Sequence, residues 1–349
     1  PLDSIEKRTQ FLENCLDILI LDCTFLNCET TLKGGAIDIE SSNSNVTIIQ
    51  STFDSCQTKA SQDSMGAGIY AQCACISIKQ SIFRNCNGIE PTTKGTAAYV
   101  IADDSIMIIG SIALNCSCEN QPNDFAQLWL SSPVMTTSQV NASLGNSNHC
   151  SGIHYDSFST NFTSQFITLY KNQGRSLMEI QQIRMDSFTL SYYSLISNII
   201  MAPEESSYLI AIDLSSPLKA TDKKIINFNQ FQVLDNNLSA NQNVVGLQNQ
   251  IEEPLLYVSD LDSDIDPKQF CNIMEPVYLN SSSQLADSIK FTQINDATES
   301  QWFTESSEFM NTEIFSDSEG FSESETLQSI IFSNSENFGN SISFTSSLL

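Results

Sequence analysis

The sequence predicts an all-β fold, a right-handed parallel β-helix (solenoid), followed by an acidic C-terminal β segment built on a six-residue repeat. Three observations carry this prediction. A six-residue phrase recurs at nearly constant spacing, as CTFLNC at 23–28, STFDSC at 51–56, SIFRNC at 81–86 and SIALNC at 111–116. Apolar and polar residues alternate just upstream of each phrase. A run opening on small residues precedes each of the later phrases: GGAIDIE at 34–40, GAGIYAQ at 66–72 and GTAAYVI at 95–101.

Self-similarity at a period of 20–50 residues marks stacked units that cannot bury a core alone. Aligned, the phrases place Phe25, Phe53 and Phe83 in one column with Ala113, and Asn27, Ser55, Asn85 and Asn115 in the next polar column. Cys28, Cys56, Cys86 and Cys116 fall in the last. Ile20, Ile48, Ile78 and Ile108 stand three residues upstream, and Ile18, Val46, Ile76 and Ile106 five upstream. Apolar columns two residues apart, rich in β-branched side chains, are the signature of a half-buried strand; a helix would space them by three or four. The small residues let the backbone bend tightly into the next strand. Each period therefore holds three short strands, and stacking them in parallel turns like residues into ladders.

Residues 1–14 are expected to cap the helix, and residues 15–290 to form it, with the best repeats at 15–118. Beyond Cys118 the repeat decays into strand-like pieces separated by turn-rich runs: 125–132, 164–171, 176–182, 208–215, 224–234, 254–260 and 287–293. Residues 291–349 form the tail. Its hexad beat sets an aromatic residue three before Ser or Thr at Phe303, Phe309, Phe315, Phe321, Phe332, Phe338 and Phe344, with a five-residue slip at LQSII. Such a polar stretch is either a disordered acidic linker or a set of short strands added to the solenoid or to a neighbouring chain. The second is the reading adopted, with the tail acting in cis or in trans.

With 41 acidic against 15 basic residues the net charge is −26, which repels nucleic acid and anionic membranes. No stretch approaches the roughly 20 apolar residues that span a bilayer, so membrane insertion by this chain is not expected. Eleven cysteines suit an oxidising compartment. Glycosylation sequons begin at Asn45, Asn115, Asn141, Asn161, Asn237 and Asn280. The chain opens on Pro1 without a signal-peptide pattern and is expected to begin inside a longer or processed product. Together these features predict an extracellular or cell-surface glycoprotein.

GGAI at 34–37 with a downstream F-x-[NS]-C resembles the repeat of right-handed β-helix surface proteins, among them the chlamydial polymorphic outer-membrane proteins and the large β-helix surface family of trichomonads. The F-[ST]-x-S-x-x tail is similar to repeats that follow the helix in the trichomonad group. Asn or Ser here stands two residues after Phe, where the bacterial motif has it three after, and no membrane barrel is expected to follow. The resemblance implies an adhesin or coat protein.

Stacked Cα atoms about 4.8 Å apart lie within the disulfide window, so Cys28–Cys56 and Cys86–Cys116 can bridge; the alternative is a ladder of buried thiols. Cys73 with Cys75, and Cys116 with Cys118, are C-x-C pairs, and the second could join His149 and Cys150 in a zinc site, although disulfides fit a secreted chain better. Asp260, Asp262, Asp264 and Asp266 alternate, so an extended chain would gather four carboxylates suited to Ca²⁺; the alternative is a solvated acidic loop. No other cofactor is expected. A polysaccharide hydrolase or lyase needs paired inward carboxylates, or cationic residues facing an acidic sugar. The arginines, Arg8, Arg84, Arg175 and Arg184, do not cluster, and His149 and His154 sit in an irregular loop. The expectation is a non-enzymatic structural or adhesive surface protein. It would self-associate into a filament or coat, or bind a host or cell-surface glycan or protein; a carbohydrate-binding or carbohydrate-cleaving β-helix is the alternative.

Overall fold

The structure, a computed structural model, describes residues 9–11, 16–59, 64–88, 93–117, 126–147, 149–156, 161–181, 187–201, 207–213, 225–238, 242–248, 255–263, 269–271, 277–279 and 329–332. The chain is a parallel β-helix: among the described residues every strand pairing is parallel and there is no α-helix. One face stacks Thr9–Phe11, the 37–41 part of Ile37–Ile49, the 69–73 part of Ile69–Lys79, the 98–102 part of Ala98–Ile109, Leu128–Ser131, Cys150–Asp156, Ser176–Gln181, Tyr208–Asp213 and Asn243–Gln248. A second face runs from Asp17–Leu21 through 45–49, 75–79, 105–109 and 134–138 to Leu255–Ser263, with Val277–Leu279 beyond it. A third begins with Thr24–Leu26, Thr52–Asp54, Ile82–Arg84 and Ile112–Leu114.

The aligned columns are the ladders of this core. Ile20, Ile48, Ile78 and Ile108 stack in register and are buried, as are Ile18, Val46, Ile76 and Ile106 beside them. Phe25 lies on Phe53 at 4.9 Å and Phe53 on Phe83 at 4.7 Å, rings nearly parallel, until Ala113 ends the stack. Removing a ring as buried as Phe53 costs about 3–5 kcal/mol. Of the later strand pieces, all those up to residue 260 overlap strands, and 287–293 lies outside the described residues. Val134–Ser143, Cys150–Asp156, Ser187–Ile196 and Asn243–Gln248 escaped the sequence reading because their buried residues, among them Met135, Val140, Ile153, Tyr155, Phe188, Leu190, Val245 and Leu247, repeat no single letter from turn to turn. Thr9–Phe11 falls within the expected cap yet pairs with Ile37–Ile39 as a strand of the first face.

The corners explain the polar columns. Between the second and third faces one residue per turn has positive φ, from Asp22 through Gln50, Gln80, Gly110, Gln139, Phe166, Tyr192 and Gln230 to Asp260. After the third face a second such column runs Asn27, Ser55, Asn85, Asn115, Leu144, Lys171, Ser197, Asp235, with φ from 51 to 57°. Asn and Asp tolerate this left-handed conformation best, so the Asn of F-x-N-C is a corner residue. Gly34 and Gly66 enter the first face at φ +66° and +60°, where a Cβ would stand 2.2 Å and 2.0 Å from the carbonyl oxygens of Ile37 and Ile69. The corner between the first and second faces absorbs length differences: Ser41 and Asn45 align with Cys73 and Cys75, and the register resumes beyond.

Candidate functional site

Serine and thiol side chains close the turns from inside. The hydroxyls of Ser51, Ser81 and Ser111 donate to the carbonyls of Ile49, Lys79 and Ile109 and accept the amides of Cys23, Ser51 and Ser81. The cysteine column lies one residue past the second corner and continues as Gly145, Asn172, Asn198 and Asn236. Cys86 Sγ donates to Phe53 O at 3.5 Å and Cys56 Sγ to Phe25 O at 3.7 Å. At the same place Asn198 Nδ2 donates to Leu169 O at 2.9 Å, and Asn198 Oδ1 accepts the Asn172 amide at 2.9 Å. Gly145 marks the changeover: Gln127 Nε2 bonds Asn172 Oδ1, and its Oε1 accepts the Cys116 amide. A Cβ on Gly145 would stand 2.5 Å from Gln127 Nε2.

The expected disulfides are therefore absent among the described residues. Cys28, Cys56, Cys86 and Cys116 carry free thiols that meet backbone carbonyls and, along the column, one another. Cys73 and Cys75 flank the corner at Ala74, one buried and one half-buried, and Cys150 donates to Leu177 O at 3.5 Å; none of them is bridged. Cys118 lies outside the described residues. No cluster of three His, Cys, Asp or Glu suited to a metal occurs among the described residues, so the structure does not assemble Cys116, His149 and Cys150 into a zinc site. Of the four aspartates of the calcium reading, Asp260 is a corner residue with φ 53°, which interrupts the strict alternation, and Asp262 accepts from Gln232 Nε2 at 3.3 Å. Asp264 and Asp266 lie outside the described residues, as does Asn280.

Of the sequons, Asn45, Asn115, Asn161 and Asn237 are exposed, and Asn141 is half-buried against Ser143. Asn45 Nδ2 donates to Asp17 Oδ1 and Asn115 Nδ2 to Asn85 Oδ1. In the tail ladder Phe332 belongs to strand Ser329–Phe332; Phe303, Phe309, Phe315, Phe321, Phe338 and Phe344 lie outside the described residues. Arg8 and Arg184 do too, whereas Arg84 pairs with Asp54 at 2.7 Å across adjacent turns.

The outer side of the first face carries a column the sequence reading did not find. Register aligns Asp38, Tyr70, Tyr99, Trp129, His154 and Glu179. Tyr70, Tyr99 and Trp129 stack at 5.7 Å, and Trp129 meets His154 at 3.8 Å. Lys33 Nζ lies 4.6 Å from the Tyr70 ring centre and Lys94 Nζ 5.0 Å from that of Trp129. His154 thus sits in a strand, not in the irregular loop expected. Its Nδ1 is 3.3 Å from Glu179 Oε2, and Ser176 Oγ donates to Glu179 Oε1 at 2.7 Å. Burial raises the Glu179 carboxyl, but His154 and Ser176 outweigh it and hold the carboxyl below the usual range. This is not nucleophile geometry: the hydroxyl bonds the carboxylate rather than the imidazole, and His154 is fully buried against Trp129. At the corner, Phe166 and Tyr192 stack on each other at 4.2 Å, covering their shared faces instead of forming a flat platform for a sugar ring.

The remaining feature is the N-terminal end. Ser329–Phe332 pairs in parallel with Asp17–Leu21, aligning Ile330 with Ile18 and Phe332 with Ile20. Among the described residues, Thr24–Leu26 pairs only with Thr52–Asp54, and Glu29–Thr30 only with Gln57–Thr58. Leu16, Leu26 and Leu32 of this turn are exposed. No helix among the described residues is long and apolar enough to cross a membrane. Comparison of the chain with protein-family models, curated proteins and solved structures finds no match.

Proposed function

We propose that this chain is an extracellular structural or adhesive surface protein, a rod whose N-terminal end is its joining surface. The observation that carries the reading is that end. Asp17–Leu21 accepts an added strand, while the neighbouring Thr24–Leu26 edge and the exposed Leu16, Leu26 and Leu32 form an apolar rim. Open strand edges are templates for another chain unless they are covered. A head-to-tail contact between this end and the opposite end of a second copy is heterologous and extends into a filament or coat. The interior ladders suit the role, since each turn supports only its neighbours and the stack can be long. Accessible Asn45, Asn115, Asn161 and Asn237 support the extracellular placement; unbridged cysteines do not add to it.

Negative-stain electron microscopy of the chain with and without residues 291–349, across a concentration series, tests the reading. Rods joined end to end are expected. If joining is lost with the tail, the tail is the connector; if it persists, the turn edges are. Single rods in both samples at every concentration would overturn the assembly reading.

A further inference from the structure

We infer that the edge of Asp17–Leu21 is a binding site for one short parallel strand, and that the slip in the tail's hexad beat is its built-in ligand. The beat repeats Phe-x-x-Ser until LQSII interrupts it. The interruption places Ile330, Ile331 and Phe332 together, the one run of three consecutive large apolar residues in 303–349. β-branched and aromatic residues in sequence are what a strand edge selects. The segment also carries no charge between Glu325 and Glu336, so it approaches a strongly acidic protein without like-charge repulsion.

The register is specific. Ile330 and Phe332 occupy the positions that extend the ladders of Ile18 with Val46 and of Ile20 with Ile48. A slip of one residue would place Ser329 or Ile331 there instead and exchange the two faces. The backbone supplies a directional signature as well. Leu16 O accepts the Asn45 amide and the Asp22 amide donates to Ile49 O, so these groups point to the next turn. Backbone groups alternate sides along a strand, so the amides of Leu19 and Leu21 point to Ser329–Phe332. Residues 280–328, fully extended, would reach roughly 160 Å, several times a stack of roughly 40 Å. The chain is therefore long enough to reach its own first turn, and tethering favours its own strand over that of a second copy. The site is a self-cap on the edge described above. It deepens the end-to-end reading without needing assembly to occur.

The test uses the full chain carrying Ile330→Asp and Phe332→Asp, at a dilution where it is a monomer. Residue-resolved hydrogen exchange is expected to speed at least tenfold at Leu19 and Leu21 while Ile18 and Ile20 keep their protection. A labelled peptide of residues 326–335 should bind the variant, with the wild-type chain and a peptide bearing both Asp substitutions showing no binding. Unchanged exchange at Leu19 and Leu21 would overturn the inference. So would loss of protection across 16–49 in step, because the strand would then be part of the folding unit rather than a ligand of a finished edge. These readouts report on one molecule, so they stand apart from whether rods join.

Discussion

Replacing Asn198 with Ala tests the idea that the asparagine half of the corner column holds the turns together more strongly than the cysteine half. Asn198 bridges three turns: Oδ1 accepts the Asn172 amide, Nδ2 donates to Leu169 O at 2.9 Å and to Asn236 Oδ1 at 2.9 Å. Asn198 is fully buried, so no water can replace the lost partner without opening the stack. The truncation strips the Asn172 amide of its acceptor and the Leu169 carbonyl of its side-chain donor. Each orphaned buried group costs about 1–3 kcal/mol, for a total of about 2–6 kcal/mol. Cys86→Ala at the equivalent place removes only a weak S–H donor at 3.5 Å from Phe53 O and a small apolar volume, about 1–2 kcal/mol. Urea unfolding followed by far-ultraviolet circular dichroism measures both, provided the slope m is unchanged. The expected result is a loss for Asn198→Ala at least twice that for Cys86→Ala. Equal losses would refute the reasoning, because the side-chain amide would then add nothing to the stacking that a thiol does not.

Two further outcomes follow from the same geometry. In the folded protein, Cys56, Cys73, Cys86 and Cys150 should resist iodoacetamide at pH 8 while half-buried Cys75 is labelled first, as peptide mapping would show. For Cys56 the bond with Cys28 lowers the thiol, but Cys86 and burial outweigh it; burial raises Cys86 and Cys150 well above the ordinary range and pushes Cys73 up to about 12. Glu179→Gln should destabilise the protein by about 1–3 kcal/mol at pH 7, measured by urea unfolding. The folded carboxyl is held below its unfolded value of about 4.3, so its stabilisation is present above that pH and is lost as pH falls through the folded value. The gap between wild type and variant should accordingly narrow as pH falls below the unfolded value, and a constant gap would contradict a carboxylate held by His154 and Ser176.

Much of the fold was legible because a stacked turn repeats its neighbour's environment, so the sequence writes the same residue into each ladder position. Phe25, Phe53 and Phe83, the isoleucine columns and the Gly34 and Gly66 entries could be read directly, and each is where the period places it. The Asn of F-x-N-C was legible as a column, but its left-handed backbone was not, since an alignment of letters carries no φ.

What only the tertiary structure decided are the contacts between unlike residues in different turns. The aromatic column from Tyr70 to His154 mixes Tyr, Trp and His, so no repeated letter announces it, and register alone brings its members together. The handover from cysteine to asparagine likewise needs Gln127 to reach across to the gap at Gly145. The pairing of Ser329–Phe332 with Asp17–Leu21 joins segments about 300 residues apart. The sequence by itself determined the period, the ladders and the β class, because those depend on local alternation and self-similarity. The thiol orientations, the buried His154–Glu179 pair and the capped first edge depend on which side chains meet once the turns are stacked, and that is set by three-dimensional register.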